Sequence, residues 1–303
     1  MSFMATFSKM LMILFAIAMG YVANRLQILN DDSNRKLTKL VLNITIPGLI
    51  LSAVMTGEAQ PEVGTVLSVW KMAAVYYLIE LGMVLVVPRL LGGTDRQKGV
   101  WQFSLFFTNA IFIGYSVLNA LYGEWAVFYA VMLTLPVNAL SFSVGPLMLG
   151  GRRRFSWRSS LCTPSFLSSV VSLVIVLAGI RVPAYAGEVL GFVGDMTAPL
   201  SLLVLGSVLA GMPLGKVLAM PRIWILSAFR LVIMPILLLL LLRPMGLDPV
   251  VLSTGVIIMA TPAAVNGFML SIEHDGDSEC MAQTIFLSTL CSIVTIPLVA
   301  TLI

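Results

Sequence analysis

Four short stretches of this sequence carry residues with chemistry in otherwise apolar surroundings. Thr108-Asn109-Ala110-Ile111-Phe112-Ile113-Gly114 sets a hydroxyl, an amide and a glycine in an aromatic-rich run. Ala260-Thr261-Pro262-Ala263-Ala264-Val265-Asn266-Gly267 sets a proline, an amide and a glycine together. Asn43-Ile44-Thr45-Ile46-Pro47 and Asp195-Met196-Thr197-Ala198-Pro199 share the pattern [Asn/Asp]-x-Thr-x-Pro. Proline removes a backbone donor and clashes with the preceding turn, and glycine tolerates angles other residues resist, so both favour a broken helix. The broken ends offer backbone N–H groups and a positive dipole end, a fit for a carboxylate. Thr108, Asn109, Gly114, Thr261, Pro262 and Asn266 are therefore candidate anion ligands, with Asn43 and Thr45 as a second polar layer. The alternative for the first set is a ligand-free kink, and for Asn43, Thr45 and Thr197 the capping of carbonyls freed by the prolines.

Asp195, Glu80 and Arg230 fall within the apolar runs, where charge is costly and tends to be functional. Asp195, with Thr197, suits a proton, Na⁺ or a paired cation. Glu80 suits a proton, and Arg230 suits attraction of an anion. A mutual salt bridge between Glu80 and Arg230, or snorkelling by Arg230, is the structural alternative. The three cysteines, Cys162, Cys280 and Cys291, lack metal-ligand spacing and read as packing residues. His274, the one histidine, sits in an acidic loop. No nucleophile–base constellation, metal cluster or phosphate loop is visible, so neither an enzyme nor a metal or organic cofactor is expected; Na⁺ or H⁺ as a coupling ion stays open.

The elements that hold these residues are set by composition. Of 303 residues, 59% are hydrophobic and 11% charged, against about 25% charged in a soluble domain. The bilayer is the solvent this composition fits, and each span needs about 20 residues. Hydropathy places spans near 6–24, 37–56, 65–88, 101–121, 125–149, 162–180, 188–211, 222–243, 250–271 and 280–302. The first stretch, Phe7–Val22, lacks a small-residue cleavage pattern and reads as a retained span rather than a signal peptide. The basic balance belongs to the loops and not to nucleic-acid binding.

Orientation follows from Lys and Arg. Odd-numbered loops hold thirteen of them: Arg25, Arg35, Lys36, Lys39, Arg89, Arg96, Lys98, Arg152, Arg153, Arg154, Arg158, Lys216 and Arg222. The opposite side holds four, Lys9, Lys71, Arg181 and Arg243. The odd loops are thus expected in the cytoplasm and both termini outside, in the inner (plasma) membrane. The ninth loop, Glu273-His274-Asp275-Gly276-Asp277, is acidic, and acidic residues contribute little to this rule.

The chain also repeats. An offset of about 152 superposes the two [Asn/Asp]-x-Thr-x-Pro patterns, and 153 superposes Thr108-Asn109 on Thr261-Pro262, Gly114 on Gly267 and Tyr122-Gly123 on Asp275-Gly276. Pro146 and Pro297 lie 151 apart, and Glu80 and Arg230 fall near equivalent depths. Five spans per half force opposite orientations, an all-α membrane fold of ten helices in a 5+5 inverted repeat, residues 1–155 and 156–303. Such repeats place binding sites at the midplane where helices are interrupted. A helical bundle with coincidental spacing is the alternative.

On these residues the sequence resembles the auxin efflux carrier family, which includes bacterial malate and malonate permeases and the plant PIN auxin exporters. The resemblance covers the whole chain and is strongest at Leu42–Pro47, Thr108-Asn109 through Gly114 to Leu121-Tyr122-Gly123, Met259–Pro262, and Ser288-Thr289 through Thr295-Ile296-Pro297. It implies a scaffold of spans one, two, six and seven, and a moving transport domain of spans three to five and eight to ten. Helices four and nine would cross at the substrate site. The family's crossover asparagine falls on Asn109 and its span-nine proline on Pro262. Plant members also have a proline in span four, where this sequence has Thr108, and a long central loop that here is the short basic linker Arg152–Arg158; a bacterial permease is the nearer kin. The resemblance implies transport of a small organic anion, with a homodimer as an analogy to relatives. An ion-coupled cation antiporter, or a sensor or channel on the same scaffold, are the competing readings.

Overall fold

The computed structural model describes residues 3–55, 63–141, 144–150, 164–180, 182–211 and 220–303. The linker Arg152–Arg158, Cys162, Arg181 and Lys216 lie outside the described residues. Among those residues the protein is all helix, with no strand and one isolated bridge. The helices are α1 (Phe3–Arg25), α2 (Asp31–Leu40), α3 (Ile46–Met55), α4 (Val63–Leu91), α5 (Asp95–Phe106), α6 (Tyr115–Tyr122), α7 (Glu124–Ser141) and α8 (Val144–Met148). The second half has α9 (Pro164–Ala178), α10 (Ala184–Gly194), α11 (Thr197–Ala210), α12 (Pro221–Ala228), α13 (Met234–Leu242), α14 (Pro249–Met259), α15 (Asn266–Glu273) and α16 (Ser278–Ala300). Among the described residues, four helical stretches are long and apolar enough to cross a membrane: Gly64–Leu91, Tyr185–Ala210, Pro221–Met245 and Ser278–Ala300. Shorter apolar helices run over Ala110–Tyr122, Glu124–Thr134 and Pro249–Met259. Apolar side chains such as Leu78 and Phe192 stand exposed on outer faces, the arrangement a lipid surround requires.

Local chemistry sets where helices start. Thr94 and Gln97 form a reciprocal capping box at α5, with Gln97 N–H donating to Thr94 Oγ1 at 3.3 Å and Thr94 N–H to Gln97 Oε1 at 3.2 Å. Asp248 caps α14 by accepting from Val250 and Val251 N–H groups, with Pro249 at the first helical position. Asp277 caps α16 through Cys280 N–H at 3.0 Å.

Two packing groups result. α1 lies along α11, and α3 packs on α9 and α10. Without a hydrophobic force between helices in lipid, close backbone approach through small residues must hold them. A Cβ on Gly206 would stand 1.9 Å from Ile17 O, and one on Gly20 would stand 2.0 Å from Leu203 O. The other group gathers α4, α5, α7 and α12–α16 around a core that includes Trp101, Phe103, Phe128, Met234 and Met281, all buried. Among the described residues, three π-helical turns interrupt the α geometry, at Val41–Thr45, Ala110–Gly114 and Phe229–Ile233. Such turns recur at functional sites.

Candidate functional site

Both predicted interruptions are present. α5 ends at Phe106, Phe107 is extended (φ −99°, ψ 112°), and Asn109 leaves helical geometry (φ −78°, ψ 54°) before the π turn begins at Ala110. α14 ends at Met259, and helix resumes only at Asn266. The two unwound segments run antiparallel and hydrogen-bond to each other. Asn109 N–H donates to Pro262 O at 2.8 Å, and Ala264 N–H donates to Phe107 O at 3.0 Å, forming the bridge between Thr108 and Ala263. Ala263 N–H donates to Ser288 Oγ at 3.3 Å. Lipid cannot satisfy freed backbone groups, and here each break supplies partners for the other.

Side chains fasten the same crossing. The hydroxyls of Thr108 and Thr261 meet, and both lie within hydrogen-bond reach of Ile258 O, at 3.2 and 2.7 Å. Gly114 allows the approach, since a Cβ there would stand 2.6 Å from Ile258 Cδ1 and 3.3 Å from Thr261 Cγ2. The structure thus brings Thr108, Asn109, Gly114, Thr261 and Pro262 into one crossing. Span four breaks without a proline because span nine supplies the hydrogen bonds that stabilise an extended Phe107–Asn109.

The crossing is electrically polarised. The C-terminal ends of α5 and α14 point into it, as do the N-terminal ends of Ala110–Tyr122 and α15. A helix terminus carries roughly half an elementary charge, positive at the N-terminal end. Asn109 is buried, and its Nδ2 donates to no described residue; Asn266, half-buried at the start of α15, has an unpartnered Oδ1. A buried amide without a partner costs about 1–3 kcal/mol, which a ligand carboxylate would recover.

The remaining candidates sit elsewhere. Asn43 is exposed, with its amide donating to Lys39 O at 2.8 Å, and Thr45 bonds Val41 O at 3.4 Å. Both bond a backbone carbonyl four residues back. Asp195 is exposed in the turn between α10 and α11 and lines a small cleft with Leu49, Tyr115, Ser116, Asn119 and Thr197. That cleft separates the α3/α10/α11 group from α6, the helix that leaves the crossing. Thr197 is buried, with no partner for Oγ1 among the described residues. Among the described residues, no group of three or more His, Cys, Asp or Glu could hold a metal ion.

Glu80 and Arg230 are buried and paired, Nη1 to Oε1 at 3.4 Å. Arg230 also donates from Nη1 to Leu105 O at 2.8 Å and from Nε to Thr261 O at 3.2 Å. Sequence reasoning identified both charges but neither carbonyl, because a backbone acceptor leaves no trace in residue type. Ser288 was likewise missed as a partner of the crossing, since a serine in an apolar helix usually bonds its own backbone.

The family profile described as membrane transport protein matches this chain over residues 5–154 and 148–300. An uncharacterized transporter of Methanothermobacter thermautotrophicus is 23% identical over 98% of this chain and 98% of its own length. The Escherichia coli K12 uncharacterized transporter YfdV is 21% identical over 95% of each chain. A candidate malonate transporter of Rhizobium meliloti is 22% identical over 92% of this chain and 90% of its own.

Proposed function

The chain belongs to the membrane transport protein family, the auxin efflux carriers, and from that premise we propose that it carries a small organic carboxylate across the inner membrane by alternating access. The observation that carries this reading is the crossing of two broken helices, bonded Asn109 to Pro262, beside a buried amide with no partner among the described residues. The carboxylate would accept from Asn109 Nδ2 and from the N–H groups that open Ala110–Tyr122. Malonate is the first substrate to test, because a relative is named for it.

In this reading residues 1–155 and 156–303 are inverted repeats. Support comes from the meeting of residues that the repeat offset aligns, Thr108 with Thr261 and, nearly so, Glu80 with Arg230. The group α1, α3, α9, α10 and α11 serves as scaffold. The group that contains the crossing moves as a unit, sliding along the cleft at Asp195, and both termini lie outside the cytoplasm.

Purified protein in proteoliposomes loaded with unlabelled malonate should take up labelled malonate by counterflow, saturably. Conductive, non-saturating flux without counterflow would replace this reading with a channel. Cation-for-proton exchange with no carboxylate flux would replace it with a cation antiporter.

A further inference from the structure

Arg230 and Glu80 bear on what moves with the anion. The Phe229–Ile233 π turn presents Arg230, 1% exposed, to the C-terminal ends of both half-helices at once. Leu105 O belongs to the last turn of α5, and Thr261 O lies just past α14. Glu80, 0% exposed, reaches this guanidinium through Oε1 alone. Its Oε2 accepts no hydrogen bond from a described residue, and Arg230 Nη2 donates none. The Tyr76 hydroxyl, one turn away on the same helix, is buried and has no partner among the described residues. Among the described residues, the elements packed on α4 bring no charged group to Glu80 besides Arg230.

A charge count follows from these contacts. Two C-terminal helix ends total about −1 elementary charge and two N-terminal ends about +1. Arg230 offsets the C-terminal ends that it caps. The positive N-terminal ends then face one remaining negative charge, and two groups can supply it: Glu80 or a bound carboxylate. Ionised Glu80 balances the empty crossing, and protonated Glu80 leaves the balance to a singly ionised substrate, hydrogen malonate where malonate is the probe. With both negative charges, or neither, a net charge is stranded at membrane depth, which is costly.

We propose that Glu80 is the coupling carboxylate of this transporter, protonated as a substrate carboxylate binds, so that anion and proton cross in the same direction. The inference rests on the organic-anion reading above. Glu80 Oε2 takes a proton from water on the side to which the site is open, forming an O–H bond. On the far side that bond breaks, and the proton returns to water as the anion leaves. No electrons are transferred. Both side chains of the pair are buried in the structure.

The test uses the full chain in proteoliposomes enclosing a pH-sensitive dye, with labelled malonate outside. An acid exterior should drive malonate accumulation several-fold above equilibrium, and malonate entry should acidify the lumen. The wild-type KM should rise with pH, by up to about tenfold per unit, the limit for one linked proton. Glu80→Gln should abolish acid-driven accumulation and flatten that pH profile, and Glu80→Asp should retain both. Malonate flux without lumenal acidification would overturn the inference and leave the transport reading intact, and the wild-type dye measurement decides this even where Glu80→Gln fails to fold. Acid-driven accumulation that survives in Glu80→Gln and is lost in Asp195→Asn would also overturn it, assigning coupling to Asp195. Absence of carboxylate flux from wild-type vesicles would overturn the transport reading and this inference with it.

Discussion

The backbone N–H of Asn109 donates to the carbonyl of Pro262 at 2.8 Å, so the two helix breaks are one structure and not two. Neither unwound segment could persist alone in lipid, where each unsatisfied backbone group costs several kcal/mol. Disturbing one break should therefore disturb the other.

Asn109→Ala should weaken malonate binding by about ten- to a hundredfold, the loss of one hydrogen bond to a charged group at roughly 1.5–3 kcal/mol. Because Asn109 Nδ2 has no described partner, the ligand-free melting temperature should change little. Malonate-dependent stabilisation in a thermal-shift assay reads both quantities. Full stabilisation of the variant by malonate would remove Asn109 from the site.

Arg230→Ala leaves Leu105 O, Thr261 O and a buried Glu80 without their shared donor. Breaking a buried pair by deleting one partner costs about 3–5 kcal/mol. A large fall in melting temperature in detergent is expected, with Arg230→Lys intermediate, since an ammonium cannot copy the planar fork. The double variant Glu80→Gln/Arg230→Gln should melt above Arg230→Ala because no lone charge remains. Equal melting of Arg230→Ala and wild type would refute the clamp.

Gly206→Ala should destabilise more than Gly267→Ala. The added Cβ at 206 meets backbone, Ile17 O at 1.9 Å and Tyr21 N at 2.8 Å. At 267 it meets Met281 Cε at 2.1 Å and Phe103 Cε1 at 2.4 Å, side-chain atoms of which the methionine end can swing away. Overpacking that forces backbone shifts costs about 1–3 kcal/mol or more. The order of the two melting temperatures is the check.

The Asp32–Lys36 pair, 2.6 Å long on the exposed face of α2, holds the Asp32 carboxyl below the usual carboxylate range. A depressed folded-state value stabilises above the unfolded value and is lost as pH falls through the folded one. Both side chains are solvated, so Lys36→Ala should leave the melting temperature at neutral pH and physiological salt within measurement error. A clear drop at neutral pH that vanishes in acid would show a stronger pair than this exposure permits.

Much of this was legible in the residues. Pro262 and Gly267 marked the span-nine break, because proline and glycine act on their own backbone. Thr108 and Thr261 were aligned by the repeat and proved to touch. The break in span four was less legible: Thr108 and Asn109 do not forbid a helix, and the extended backbone there depends on the carbonyl of Pro262 and the N–H of Ala264. Asn43 pointed to the site by its type, yet its amide is engaged with Lys39 O one turn back, a choice made by local geometry.

Composition and charge by themselves determined the solvent, the helical class and the positions of the costly polar groups, since the free energy of moving a residue into lipid depends on the residue itself. They also supplied Glu80 and Arg230 as charges needing an explanation. Tertiary structure alone decided that one guanidinium caps two carbonyl ends, that two breaks bond to each other, and that Asp195 lines a cleft with residues of α6. Those outcomes turn on backbone atoms and on segments far apart in the chain. Every residue carries the same backbone groups, so the sequence holds no record of which will be left in want of a partner until the helices have met.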